Sequence, residues 1–249
     1  MSAIAKNTFK ILTTAIGSLP VLSDREIFQC LDLVDVPFYP EFPQLSGHMM
    51  LDYPVGLAHV ERSKYFDLFY RYLSQKSSEI CKIQWCGLMT FAQYRQNIDQ
   101  YLNYFQTCLN WIDEIKSRAP SVKKIILFID EPALSLITQS SISQAQLARY
   151  REMLQFIDAD IFVHCCGQLP QYWPAIYHNL GLSFDLNITK IADSYLDQFS
   201  RLSLGLSGQK SDDIPPHILS RTQLLTPPCG LASYDHLQVI DILSDLRNF

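Results

Sequence analysis

Strand-like apolar runs alternate along this chain with stretches of helical spacing, and that alternation limits the fold more than any other feature. The runs fall at residues 9–16, 36–39, 82–91, 123–129, 160–164, 182–187, 201–206 and 223–226. Strands separated by helices predict an α/β fold with a parallel sheet. Eight such units in 249 residues match the size of one (β/α)8 TIM barrel. No linker, low-complexity stretch or repeat divides the chain, so a single domain over residues 1–249 is expected. Helical spacing marks 23–33, 93–117, 141–157 and 233–246, the first with a cap at Ser23 and the acids Asp24 and Glu26 in its first turn. Residues 39–56 follow neither period and predict a long loop over one end of the barrel.

Composition narrows the function classes. Apolar residues make up 48% and charged residues 18%, enough to build a large core. A net charge of −5 leaves no electrostatic footprint for nucleic acid or an anionic membrane. No apolar run reaches the roughly eighteen residues of a membrane span, and residues 1–10 lack the apolar core of a secretory signal, so a cytoplasmic protein is expected. The seven cysteines then read either as thiols in a reducing compartment or, for two or three of them, as metal ligands.

Position favours particular residues. In Val163-His164-Cys165-Cys166-Gly167, side-chain alternation along a strand turns His164 and Cys166 to one face and Cys165 to the other. Imidazole and thiolate are both zinc ligands, although a buried His beside a buried Cys is the plainer reading. Cys229, in Thr226-Pro227-Pro228-Cys229-Gly230, ends the last expected strand. Converging barrel strands allow it to approach the fifth strand across the mouth, where barrel active sites are built. Asp185 shares a strand face with Ser183 and Asn187, fit for a carboxylate ligand or a hydrogen bond to His164. Asp130 and Glu131 follow a wholly apolar strand, suited to acid–base work or to an ammonium group, with helix capping as the alternative. Gly17 and Ser18 close the first strand at the same end, where backbone amides can hold a carboxylate.

Four stretches carry a resemblance in this order: Thr-Thr-Ala-Ile-Gly-Ser-Leu-Pro, Ile-Asp-Glu-Pro-Ala-Leu, His-Cys-Cys-Gly and Pro-Pro-Cys-Gly-Leu, spanning residues 13–231. Together they resemble the catalytic barrel of cobalamin-independent methionine synthases and their uroporphyrinogen-decarboxylase-like relatives, in the manner of short members without the amino-terminal duplicate barrel. The resemblance implies a zinc ion held by His164, Cys166 and Cys229, with Asp185 where the family has a glutamate. It implies that Ile16, Gly17 and Ser18 receive the carboxylate of homocysteine and Asp130 its ammonium group. A further acidic residue expected in the early loop has Gln44, His48 and Asp52 as the polar groups there. The implied reaction is zinc-dependent methylation of homocysteine to methionine, from a methylcorrinoid, free or protein-bound, or from a methyl-folate. Two rivals are a non-catalytic module binding zinc or a thiol amino acid, and methyl transfer to another thiol such as coenzyme M, which lacks the ammonium group that Asp130 would bind. A uroporphyrinogen decarboxylase is disfavoured because the motifs hold no arginine for porphyrinogen carboxylates.

Overall fold

The computed structural model describes residues 10–46, 59–95, 98–132, 142–169, 171–187 and 191–249. Seven parallel strands form one curled sheet: β1 (Leu12–Thr13), β2 (Ile80–Cys86), β3 (Lys124–Asp130), β4 (Asp160–Cys165), β5 (Gly181–Asp185), β6 (Arg201–Gly205) and β7 (Thr222–Thr226). Their spatial order is β1-β7-β6-β5-β4-β3-β2. Ten helices are described: α1 (Asp24–Asp32), α2 (Pro43–Ser46), α3 (His59–Lys76), α4 (Leu88–Arg95), α5 (Ile98–Arg118), α6 (Gln144–Gln155), α7 (Trp173–Tyr177), α8 (Asp193–Leu196), α9 (Pro216–Leu219) and α10 (His236–Arg247). No helix among the described residues is long and apolar enough to cross a membrane.

The expected closed barrel of eight strands is met as a seven-stranded sheet. Residues 36–39, expected as the second strand, form an isolated parallel bridge between Phe38 and Lys82. Pro37 explains the shortfall, because it has no N–H for a ladder. The segment nonetheless touches both edges of the sheet. Val36 N–H donates to Thr13 O at 2.9 Å, Lys82 N–H to Pro37 O at 2.8 Å, and Tyr39 N–H to Lys82 O at 2.8 Å.

Alternation along the strands creates two unlike faces. Cys81, Ile83, Trp85, Leu127, Ile129, Val163 and Leu204 pack outward in the main core with the helices. A smaller core inside the curl contains Ile16, Val36, Ile126, Phe128, Phe162 and Leu224, with the Phe128 and Phe162 rings 5.6 Å apart. The polar residues Lys82, Gln84, Asp130, His164, Ser183 and Ser203 alternate with the outward apolar positions and are also buried. At the amino ends of the strands Asp160 pairs with Lys124 at 2.5 Å and Arg201 at 2.6 Å.

Three helix caps are local. Ser23 and Ser143 form capping boxes with Glu26 and Gln146 at the starts of α1 and α6, and Asp235 does the same with Gln238 at α10. The apolar run at 82–91 does not stay extended: β2 stops at Cys86, and α4 begins at Leu88 after Gly87. The expected helix 93–117 is met by the end of α4 and by α5, with residues 96–97 outside the described residues, and helix begins earlier than expected, at Leu88. α3 carries mixed polar and aromatic residues and lies outside the helical stretches expected from spacing.

Candidate active site

The carboxyl ends of β3, β4, β5 and β7 bring the chemical groups together. Asp130 and His164 are register partners on adjacent strands, and His164 is partnered in turn by Ser183. His164 Nδ1 lies 3.0 Å from Ser183 Oγ, and its Nε2 lies 3.1 Å from Cys166 Sγ. Ser183 Oγ continues to Ser203 Oγ at 3.4 Å. With Nδ1–H donating to Ser183, the Nε2 lone pair faces the Cys166 sulfur. Burial, reinforced by the Lys82 charge, lowers the imidazole pKa to about 3 and keeps the ring neutral.

Cys166 and Cys229 approach to 3.4 Å, sulfur to sulfur. The hydrogen bond to Cys166 pulls the Cys229 pKa down to about 6, while the same bond and burial push Cys166 up. Cys229 is exposed and Cys166 half-buried, whereas Cys30, Cys81, Cys86, Cys108 and Cys165 are buried. Asp185 is buried behind this pair, and its Oδ1 accepts from the Asn187 N–H at 2.8 Å. Its charge bears on Cys229.

Adjacent carboxylates at the end of β3 have opposite fates. Glu131 turns outward: Met89 N–H donates to Oε1 at 3.0 Å, Thr90 N–H to Oε2 at 2.7 Å, and the Tyr177 hydroxyl to Oε1. It thereby caps the first turn of α4, the capping alternative that the sequence left open. Asp130 turns inward, 3% exposed, and its Oδ1 has no hydrogen-bond partner. Burial, opposed by Lys82 and reinforced by Glu41, pushes its pKa well above the usual carboxylate range.

Lys82, whose charge bears on Asp130, also holds the turn after β1. Gly17 has φ +136°, and a Cβ there would come within 2.2 Å of Gln84 Nε2, so only glycine fits. Three consecutive carbonyls of this turn are occupied. Lys82 Nζ donates to Ile16 O at 2.5 Å, Glu41 N–H to Gly17 O at 2.9 Å, and Leu231 N–H to Ser18 O at 2.8 Å. Among the described residues nothing accepts from the Gly17 or Ser18 N–H groups.

Buried Glu41, bridged to Ser18 through the backbone, was missed from sequence. Of the three early-loop groups considered there, Gln44 Nε2 donates to Ala232 O at 2.5 Å, while His48 and Asp52 lie outside the described residues.

Two thiols and an imidazole are donor types that zinc takes. A tetrahedral zinc would hold two sulfurs about 3.8 Å apart, and the 3.4 Å observed falls a few tenths short. No group of three or more His, Cys, Asp and Glu that could hold a metal ion is assembled among the described residues.

No protein-family model matches the chain, and no curated protein matches it. Among solved structures, a methyltransferase from Methanosarcina mazei is similar at 15% identity over 93% of this chain and 79% of that one, with a TM-score of 0.49.

Proposed function

We propose that the protein is a methyltransferase acting on a small thiol amino acid, with homocysteine as the substrate and methionine as the product. The observation that carries this reading is the row His164–Cys166–Cys229 at the carboxyl ends of β4 and β7, beside the buried and unpartnered Asp130. The row supplies sulfur and nitrogen donors where a substrate sulfur would have to arrive. Asp130 supplies an acceptor for an ammonium group, and the Gly17–Ser18 amides supply donors for a carboxylate.

His164, Cys166 and Cys229 are the residues we assign to a zinc ion, with Asp185 as the carboxylate nearby. When bound, zinc would hold the substrate sulfur as thiolate at neutral pH, where a free thiol is only a few per cent ionised. The protein groups do the rest. Ser183 fixes the imidazole so that its Nε2 faces the sulfurs. Asp130 and the Gly17–Ser18 turn orient the amino acid so that its side chain runs toward Cys229. In the transfer the thiol gives up its proton, its sulfur lone pair forms the S–CH3 bond, and the bond from the methyl group to the donor breaks with its electron pair staying on the donor. The donor leaves either as a cobalt(I) corrinoid, with the proton released to solvent, or as a folate amine that takes the proton up. A methylcorrinoid and a methyl-folate both satisfy that balance. Glu131, with its oxygens held by Met89, Thr90 and Tyr177, is assigned to positioning β3 rather than to touching substrate.

The test is methionine formation from homocysteine by the purified chain, with methylcobalamin and methyl-tetrahydrofolate as separate donors and zinc content measured alongside. Turnover with either donor, with metal and activity lost together in Cys166→Ser and Cys229→Ser, is the expected result. No product from either donor overturns the reading, and homocysteine binding without turnover assigns the chain to a binding module.

A further inference from the structure

Lys82 is the least expected residue inside the sheet. Its side chain is fully buried on β2, where an ammonium group is costly unless hydrogen-bonded and balanced by charge. Each side of it is accounted for. Nζ donates to Ile16 O at 2.5 Å and to Gln84 Oε1 at 3.1 Å, and sits 4.4 Å from the centre of the Phe128 ring. The negative charges bearing on it are Asp130 and Glu41. None of these contacts is with bulk water, and Lys82 itself has no role in the reaction proposed above.

The bond to Ile16 O has a directional consequence. That oxygen and the Gly17 N–H belong to one planar trans peptide, so fixing the oxygen on Lys82 aims the N–H the opposite way. A cation on the carbonyl also polarises the peptide and strengthens its N–H as a donor. Gln84 completes the clamp: its Nε2 donates to Tyr39 O at 2.9 Å, and its amide fills the space that a Cβ on Gly17 would occupy. With the Gly17 and Ser18 oxygens tied to Glu41 and Leu231, the N–H groups of the two residues are left without a backbone acceptor among the described residues and available to an anion. The positive group lies beneath that turn, and Asp130 lies on β3 close enough to feel it.

We propose that Lys82, through its bond to Ile16 O and its contact with Gln84, is a positioning residue that sets the Gly17–Ser18 turn to receive the carboxylate of a zwitterionic substrate. The inference rests on the thiol amino acid reading above and adds the residue that distinguishes an amino acid from the corresponding amine.

The test compares homocysteine with its decarboxylated analogue, 3-aminopropane-1-thiol, by calorimetry on the full zinc-loaded chain. Wild type is expected to bind homocysteine more tightly. Lys82→Met is expected to weaken homocysteine roughly ten- to hundredfold while leaving the analogue within about twofold. Lys82→Gln keeps a donor without the charge and should fall between the two. Gln84→Met, which removes the second half of the clamp without stranding a charge, should show the same selective loss and decides the matter if both Lys82 variants fail to fold. Equal loss for both ligands, or retained preference for homocysteine in the folded variants, overturns the proposal and leaves the amino acid reading standing. Wild type that binds neither ligand, or both alike, overturns the two together.

Discussion

Cys229 lies sixty-three residues beyond Cys166, yet their sulfurs meet at 3.4 Å across the mouth of the sheet. The hydrogen bond between them holds the pKa of the exposed member, Cys229, down at about 6.

Selective alkylation follows from that asymmetry. At pH 7 in metal-free protein, iodoacetamide should label Cys229 ahead of the other six cysteines, with a rate midpoint near the lowered value of about 6. Cys166→Ala removes the hydrogen-bonding partner, so the midpoint should move up toward the ordinary value and labelling at pH 7 should slow about tenfold or more. Mass spectrometry across a pH series reads both effects. An unmoved midpoint in the variant would show that the bond to Cys166 does not set the titration of Cys229.

Asp130 should discriminate at the other end of the substrate. In Asp130→Asn, binding of homocysteine should weaken roughly ten- to hundredfold. Binding of 4-mercaptobutanoate, which has no ammonium group, should change little. The result that sinks the assignment is an equal loss for both ligands.

Glu131 should matter to stability more than to chemistry. Its carboxylate satisfies two first-turn amides of α4, and a methyl group added at Gly87 would fall within 2.2 Å of it. Glu131→Ala and Gly87→Ala should each cost about 2–3 kcal/mol, lowering Tm by roughly 5–10 °C. Methyl transfer per folded molecule should persist in both. A Glu131→Gln protein with wild-type Tm and no turnover would move this residue into the reaction.

Acid sensitivity should trace in part to Asp160. Burial alone would raise its pKa, but hydrogen bonds and charge from Lys124 and Arg201 outweigh it and hold the carboxyl below 3.8. A group ionised more readily in the folded chain stabilises it above the unfolded pKa and loses that contribution as pH falls through the folded one. Asp160→Asn should therefore cost about 1 kcal/mol at pH 7, and the difference from wild type should shrink below about pH 4. Urea titrations at both pH values measure it, and a difference that persists in acid contradicts the ion-pair account.

Local signals were legible and distant ones were not. The alternation that turns His164 and, one residue past the end of β4, Cys166 to the same side needs only a strand, and the Ser23 cap needs only its own first turn. The meeting with Cys229 needed the further premise that β4 and β7 converge at one end of the same sheet. By contrast, the end of β2 at Cys86 depends on Glu131, more than forty residues away, whose carboxylate makes a helix start at Leu88 preferable to more strand. Lys82 opens the apolar run at 82–91, and nothing beside it in sequence marks it as buried. Its burial follows from the Ile16 carbonyl, Gln84 and Phe128 gathered around it by the fold. Glu41 is hidden for a similar reason: its backbone pairing with Ser18 joins two loops that no periodicity links.

Pro37 gives the curled sheet a seam. Edge strands β1 and β2 reach each other through a four-residue segment bonded to Thr13 on one side and Lys82 on the other. Local breathing would start along that line, and it would part the Ile16 carbonyl from its cation first. The loosening would not stop there: Leu231, two residues past Cys229, holds the Ser18 carbonyl at 2.8 Å, so the Gly17–Ser18 turn and the loop that carries the exposed sulfur would shift together.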